Sequence, residues 1–562
     1  MCGIFGFVGK MNTLEILNRL ESLEYRGYDS CGVAYISNDS ISISKSIGNV
    51  SSLRFNVDVC NCQMAIGHTR WATHGKVSVL NAHPHTTSNN RFIITHNGMI
   101  DNYKEIINDY NIKLSSNTDS EVIAHLLDNL TANNETLEAV DRLRYILKGS
   151  YAIVFIDMQN KNRLYFLKKA SPLLIAKTDH NVMIASDQLA FDYKANVTIL
   201  NEDDYGFIEL NEINILPKDY NRINFVKENS ISQIKKSDHF LYDEIIHQKN
   251  MVLNISKAYE NIDVSSFANL IINCDEIVFI GAGSSCFACA ILASLFEKKL
   301  NKRSLFIVAS EFSSFNMLNN SVYILLSQSG ETADLCNALN IIKQNNLPII
   351  SLCNNNYSTL AYNSDYVFPL LAGAEISVAS TKAFTAMLYV GRILLDKNEC
   401  FISSKLSCEI NCILNMNDRI HELAKRVISK KCIFYIGKGI DYFICQEAAL
   451  KIREISYLNS YAFQSGELKH GSIALVDTNT IAIAISTNDS ELDNIKNNLE
   501  EINSRGGEVV LISNSDENAS YYLPYDRISI VVFVQLLAYY SALLLNRNID
   551  QPRNLAKSVT VL

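Results

Sequence analysis

The sequence predicts a multidomain chain, with an α+β layered domain in front and two α/β domains on parallel sheets behind it. Three observations carry this expectation. At 562 residues the chain is too long for one hydrophobic core. Residues 1–225 alternate short apolar runs with turns, as stacked strands require. Beyond residue 240 there is an internal repeat, in which β-rich runs end in Gly, Ser or Asn and lead into helical stretches.

Composition narrows the function classes. Hydrophobic residues make up 48% and charged residues 19%, an ordinary globular balance without a disordered signature. A net charge of −9 argues against a nucleic-acid partner held through its phosphates. The 14 cysteines include isolated pairs, Cys60 with Cys62, Cys286 with Cys289 and Cys408 with Cys412, without a second pair at zinc-finger distance. They read as reduced, mostly buried thiols of a cytoplasmic protein, and the N-terminus lacks a signal-peptide pattern. Residues 528–546 carry no charge and barely reach spanning length. Because Ser529, Gln535, Tyr539, Tyr540 and Ser541 interrupt the run, a helix buried in a soluble core is expected, with no membrane partner.

The front domain is organised around Met1-Cys2-Gly3-Ile4-Phe5-Gly6. Removal of Met1 leaves Cys2 with a thiol and a free α-amine on one carbon. That amine, with an ordinary pKa of about 7.7–8.0, can act as a base near neutral pH. An ordinary small buried thiol is the plain alternative. Ile4, Phe5, Phe7 and Val8 predict a short strand with Cys2 at its exposed tip. A helix over 14–23, a polar turn over 25–30 and a strand over 32–36 follow. Next comes Gly67-His68-Thr69-Arg70-Trp71-Ala72-Thr73-His74-Gly75, then Asn81-Ala82-His83-Pro84-His85 and His96-Asn97-Gly98. These histidines have no carboxylate or thiol at a ligand spacing, so hydrogen-bonded loop histidines are expected rather than a metal. Arg70 is a fork donor suited to a carboxylate. Asn97 and Gly98 offer an amide and a flexible backbone N–H, the parts of an oxyanion hole. Asp119 precedes an apolar helix over 122–130, either as its cap or as the holder of a substrate ammonium.

These phrases resemble the glutaminase domain of N-terminal-nucleophile (class II) amidotransferases, specifically that of the glutamine–fructose-6-phosphate aminotransferase family. CGIFG, LEYRGYDS, GHTRWATHG, NAHPH, HNG and TDSEVIAHL carry the resemblance. It implies a four-layer α+β Ntn-hydrolase fold, with Cys2 as nucleophile and Asn97 and Gly98 as oxyanion donors. It further implies Arg70 and Asp119 on the α-carboxylate and α-amine of glutamine, Trp71, Thr73 and His74 beside them, and Trp71 gating ammonia.

Residues 226–240 are the expected linker, and a helix begins near Tyr242. In the repeat, the runs starting at Ile277, Ile324 and Ile349 correspond to those starting at Ile433, Ile483 and Val509. Two domains over 241–405 and 406–547 are therefore expected, with a tail over 548–562. Gly281-Ala282-Gly283 invites a dinucleotide site with Glu311, but Cys286 stands where the third glycine belongs. Ser327-Gln328-Ser329-Gly330-Glu331-Thr332 opens a helix, either as hydroxyl caps or as a phosphate cradle. The run resembles the phosphate loop of sugar-isomerase (SIS) domains. That resemblance implies Ser285, Ser327, Gln328, Ser329 and Thr332 around the phosphate, with Val378 and Ala556 also at the sugar. The second copy reads Ser486-Thr487-Asn488-Asp489, where an acid opposes phosphate, so one active site per chain is expected.

Glu447, Lys451 and Glu454 share one helix face, either a solvated ion-pair face or, given their apolar neighbours, a buried acid–base group. His470 sits in a Gly-flanked loop suited to proton shuttling. Lys557 in the polar tail reads as surface charge. Resemblance to the family's tail instead makes it the Schiff-base lysine, with Glu454 moving a proton between C1 and C2 and His470 arriving from a neighbouring subunit. The implied reaction converts glutamine and fructose 6-phosphate to glutamate and glucosamine 6-phosphate, the first step of amino-sugar synthesis, in a homodimer without cofactor or metal. Another class II amidotransferase, or a non-catalytic sugar-phosphate-binding protein, are the alternatives.

Overall fold

The computed structural model describes residues 2–72, 74–192, 194–218, 222, 224–227 and 237–559. The chain divides into two compact units, Met1–Ser232 with Ser558–Leu562, and Gln233–Lys557. Most of the expected linker over 226–240 lies outside the described residues. Its described ends are ordered, since Asn224–Val226 is a strand and Phe240–Tyr259 a helix.

The first unit stacks an eight-stranded sheet on a six-stranded one, and their strand pairs are antiparallel. The strand Gly3–Asn12 shows why. Ile4 and Val8 enter an apolar layer shared with Ile66 and Ile184 of its own sheet and with Ile93, Val154 and Phe166 of the other. Phe5, Phe7 and Met11 face the opposite way, onto Ile16, Leu17 and Leu20 of the helix Thr13–Glu21. Helices Glu121–Leu130 and Thr136–Ile146 cover the far face of the six-stranded sheet through Ile94, Ile153 and Phe155. The order is therefore helix, sheet, sheet, helix, the four layers expected. Each fully buried Phe, Leu or Ile contributes roughly 1.5–3 kcal/mol. Gly3–Asn12 runs longer than the expected short strand because it is paired on both sides, by Asn61–Arg70 and by Asn181–Ala185.

The second unit contains two five-stranded parallel sheets. Glu276–Gly281, Ser321–Ser327 and Ile349–Cys353 correspond to Cys432–Gly437, Thr480–Ser486 and Glu508–Ser513, as the sequence repeat required. In each sheet the strand next along the chain, Ser304–Val308 or Ser460–Gln464, lies on one side of the first strand, and Ser321–Ser327 or Thr480–Ser486 lies on its other side. The order in which strands are added thus reverses at Glu276–Gly281 and at Cys432–Gly437, the position where loops at the strand ends part and admit a ligand.

Helix Arg527–Leu544 is long and apolar enough to cross a membrane by composition, and 83% of it is buried inside the protein. Its polar groups are satisfied there. Gln535 accepts from Gln248 at 2.7 Å and donates to the Thr381 carbonyl at 3.1 Å, and the Ser529 hydroxyl donates to Glu409 at 2.9 Å. All 14 cysteines are free. Most are buried, as expected; Cys408 and Cys412 are exposed, one helical turn apart on Ser403–Leu414.

Candidate active sites

The first site lies where Gly3–Asn12 begins. Cys2 is half-buried rather than at an exposed tip, because Trp71 and Asn97 close around it. The Trp71 N–H donates to its sulfur at 3.4 Å, and its own backbone nitrogen donates to Asn97 Oδ1 at 2.9 Å. Burial pushes the thiol pKa up, against the Trp71 N–H and the Arg70 guanidinium, which pull it down. Asn97 Nδ2 is buried and has no hydrogen-bond partner among the described residues. An amide that spends its oxygen on the Cys2 nitrogen and keeps its N–H₂ free presents a donor for charge developing nearby.

Gly98 stands at φ +139° in the strand Phe92–Ile100, where an added Cβ meets the Ser150 carbonyl at 1.9 Å. Arg70 is buried at the end of Asn61–Arg70. Its Nη2 donates to the carbonyls of His74 and Gly75, while Nη1 has no partner among the described residues. Asp119 does not cap the helix it precedes. Its Oδ2 accepts the Ile100 N–H at 2.8 Å, and its charge reaches Cys2, as that of Arg70 does. Trp71 is half-buried, edge-on to Tyr28, and His74 lies edge-on to Tyr103. Thr73 lies outside the described residues.

The other histidines are buried: His68, His85 and His96 stand on strands, and of the four only His83 lies in a loop. His68 stacks on His83 at 4.0 Å, His83 meets His85 at 4.5 Å, and His96 shares a hydrogen bond with the Ser120 hydroxyl at 2.8 Å. All four are at least 97% buried from solvent and their pKa values are lowered by that burial, His85 to about 3. Among the described residues no group of three or more His, Cys, Asp or Glu side chains is placed to hold a metal.

The second site lies at the reversal point of the first parallel sheet. Ser327 ends its strand and accepts the Gly330 N–H at 2.8 Å, and the Ser329 hydroxyl accepts the Glu331 N–H at 3.2 Å. Gly330 stands at φ +71°, where a Cβ would lie 1.9 Å from Ser358 Oγ. Glu331 is turned away onto Thr359, whose N–H and hydroxyl it accepts at 2.8 and 2.9 Å. Thr332 flanks the helix Ala333–Gln344 without capping it through its side chain. The loop's hydroxyls are thus not consumed as helix caps. Gln328 and Ser285 are half-buried, Ser285 in the first turn of Ser284–Leu300 after the tight Gly281-Ala282-Gly283 turn.

The second copy of this loop is filled from within. Asp441, in the position corresponding to Ser285, accepts the Thr487 N–H at 2.7 Å and its hydroxyl at 2.6 Å, with Arg527 at 3.1 Å. A carboxylate occupies the cradle, whereas the sequence placed the obstacle at Asp489.

Glu447 and Lys451 are buried on Ile440–Ser456, so this face is not solvated. Lys451 Nζ lies 2.6 Å from Glu454 and 3.5 Å from Glu447. Burial pushes Glu447 up to about 7. Burial lowers Lys451, but the two glutamates outweigh it and hold the ammonium above its usual value. Lys557 is not a surface charge. Its side chain is 3% exposed, and Nζ donates to Glu375 Oε2 at 2.6 Å and to the Ser377 carbonyl at 2.8 Å. Val378 is buried and ties its N–H to the Asp550 carbonyl at 3.0 Å, and Ala556 is half-buried in the tail. His470 is exposed in the turn Glu467–His470 and makes no hydrogen bond or ion pair among the described residues.

Glu375 was missed by sequence reasoning, as were Glu244 and Lys382, buried close to it. The available signal was a pair of charges, Glu375 and Lys382, in a small-residue stretch leading into the helix Lys382–Leu395.

A family model described as a glutamine amidotransferase domain matches residues 68–192, and one described as a SIS domain matches residues 270–396 and 427–543. The isomerizing glutamine–fructose-6-phosphate aminotransferases of Oceanobacillus iheyensis and Helicobacter pylori are 37% and 36% identical to the chain, each alignment covering 100% of both. The C-terminal domain of glucosamine-fructose-6-phosphate aminotransferase from Francisella tularensis superposes with a TM-score of 0.53 at 29% identity, covering 57% of this chain and 100% of that one.

Proposed function

The chain belongs to the isomerizing glutamine–fructose-6-phosphate aminotransferases, and from that premise we propose how its residues divide the reaction. It is an enzyme that uses glutamine to convert fructose 6-phosphate to glucosamine 6-phosphate and glutamate. Cys2, freed of Met1, attacks the side-chain amide of glutamine, its α-amine carries the proton to the departing ammonia, and water then cleaves the thioester to release glutamate and the free thiol. The Asn97 amide and the Gly98 backbone hold the oxyanion, Arg70 Nη1 takes the α-carboxylate and Asp119 the α-ammonium, with Trp71 and His74 beside them. The observation that carries this half is the Asn97 side chain, with its oxygen on the Cys2 nitrogen and its N–H₂ buried and free.

Ammonia is then consumed at the sugar site. The phosphate docks on Ser285, Ser327, Gln328, Ser329 and Thr332, and Val378 and Ala556 line the sugar. Lys557 forms an imine at C2, ammonia displaces it, and Glu454, held by Lys451, moves a proton between C1 and C2. A second copy of the chain supplies His470 for ring opening, making the enzyme a homodimer. Free thiols throughout fit a cytoplasmic enzyme.

Incubation with glutamine and fructose 6-phosphate should yield glutamate and glucosamine 6-phosphate in equal amounts; glutamate without amino sugar would reduce the protein to a glutaminase. In the same assay, chains carrying His470→Ala mixed with chains carrying Lys557→Ala should regain activity that neither has alone. Failure to regain it counts against the shared site.

A further inference from the structure

Lys557 is gripped by a carboxylate that is itself immobilised. Glu375 Oε1 accepts the Thr381 and Ala383 N–H groups at 2.8 and 3.2 Å, where the helix Lys382–Leu395 begins. Its Oε2 meets Lys557 at 2.6 Å and the Ser380 hydroxyl at 3.4 Å. Glu375 therefore cannot swing away, and the helix N-terminus favours its charge.

Two more buried groups complete the cluster. Glu244, on Phe240–Tyr259, accepts the Ile376 and Ser377 N–H groups at 2.5 and 3.2 Å through one oxygen. Its other oxygen, and the Nζ of Lys382, are buried without a hydrogen-bond partner among the described residues. Lys451, from Ile440–Ser456, also acts on Glu375 electrostatically. Burial, and then the charge of Glu375, push Glu244 up to about 8. Glu375 itself is opposed by burial, but Lys557 outweighs this and holds it below its usual range.

We propose that Glu375 is the proton carrier of imine formation, taking the proton that Lys557 must lose and returning it to the hydroxyl that leaves as water. This rests on the reading of Lys557 as the imine-forming lysine. Once the proton has crossed to Glu375, the Nζ lone pair bonds to C2 of the open-chain ketose, and the carbonyl π pair moves to oxygen. That oxygen takes a second proton from the nitrogen and then the one returned by Glu375, and departs as water. The nitrogen keeps its third proton in the protonated imine, and no outside acid or oxidant is consumed. The 2.6 Å contact gives the proton a direct path between the two groups, and its transfer turns an ion pair into a neutral pair.

The test uses the full chain, with Glu375→Gln and Glu375→Asp. Each is mixed with fructose 6-phosphate and borohydride, and the mass of the Lys557 peptide is followed over time at several pH values. Equilibrium binding of fructose 6-phosphate reports that the site is folded. Glu375→Gln is expected to trap sugar about 10²–10⁴-fold more slowly at neutral pH. Its rate should recover as pH rises toward the ordinary lysine value of about 10.4, where solvent can take the proton. Glu375→Asp, which keeps a carboxylate, should retain more of the rate than Glu375→Gln. Should Glu375→Gln bind no sugar, the Asp variant decides: a slower rate that rises more steeply with pH than wild type supports the role, and a wild-type profile overturns it. Trapping by Glu375→Gln at the wild-type rate and pH dependence also overturns it. No Lys557 adduct on the wild-type chain instead overturns the reading of Lys557, and the proposal with it.

Discussion

Asn97 shows how one side chain can face two tasks. Its oxygen anchors the nitrogen next to the nucleophile, and its N–H₂ is left unpaired in a buried place, an arrangement that costs stability and therefore asks for a purpose. Asn97→Ala is expected to lower kcat for glutamate release by about 10²–10³-fold, as loss of one oxyanion donor does. Borohydride trapping of fructose 6-phosphate on Lys557 should continue in the same variant; a glutaminase rate within a few-fold of wild type would remove Asn97 from the oxyanion site. Residue types such as Cys2, Asn97 and Arg70 were legible because each sits in a local phrase. Glu375 was not, since its partner lies 182 positions away and nothing in its own neighbourhood announces it.

At the scale of the element, Arg527–Leu544 separates composition from environment. Its apolar run alone fits a membrane or a core, and its polar residues decide, because each finds a partner inside the protein. Gln535 is the clearest case, joining Gln248 and the Thr381 carbonyl. Gln535→Leu leaves that carbonyl without its side-chain donor and weakens the satisfaction of Gln248, which keeps only a 3.3 Å bond to the Ile245 carbonyl from its amide nitrogen. A loss of about 1–3 kcal/mol is expected, read as a lower urea midpoint for the second unit. An unchanged midpoint would show that this polar network contributes nothing net. The paired strands of the repeat were likewise legible, as β-rich runs with fixed endings. The difference between the two copies was not, because it depends on Asp441 folding back into the loop at Thr487.

For the whole molecule, the two units should respond differently to acid. His68, His83, His85 and His96 are buried in the first unit with pKa values lowered by burial. Their unfolded value is about 6.5, so below it the unfolded chain binds more protons and the first unit loses stability. For His85 the loss continues down to its folded value of about 3. Thermal unfolding between about pH 7 and pH 4 should show the first unit's transition moving down with falling pH. Replacing His85 by Gln should flatten that slope, whereas an unchanged slope would place the acid sensitivity elsewhere.

The sequence by itself determined the family, the order of the domains and most of the residues proposed for chemistry, because strand and helix periods, turn residues and catalytic phrases are local patterns. Only the tertiary structure decided that the histidines stack in the core, that a carboxylate plugs the second sugar loop, and that Glu375 holds Lys557. Those pairings depend on which distant side chains share one dry space, and packing, rather than any local pattern, sets that.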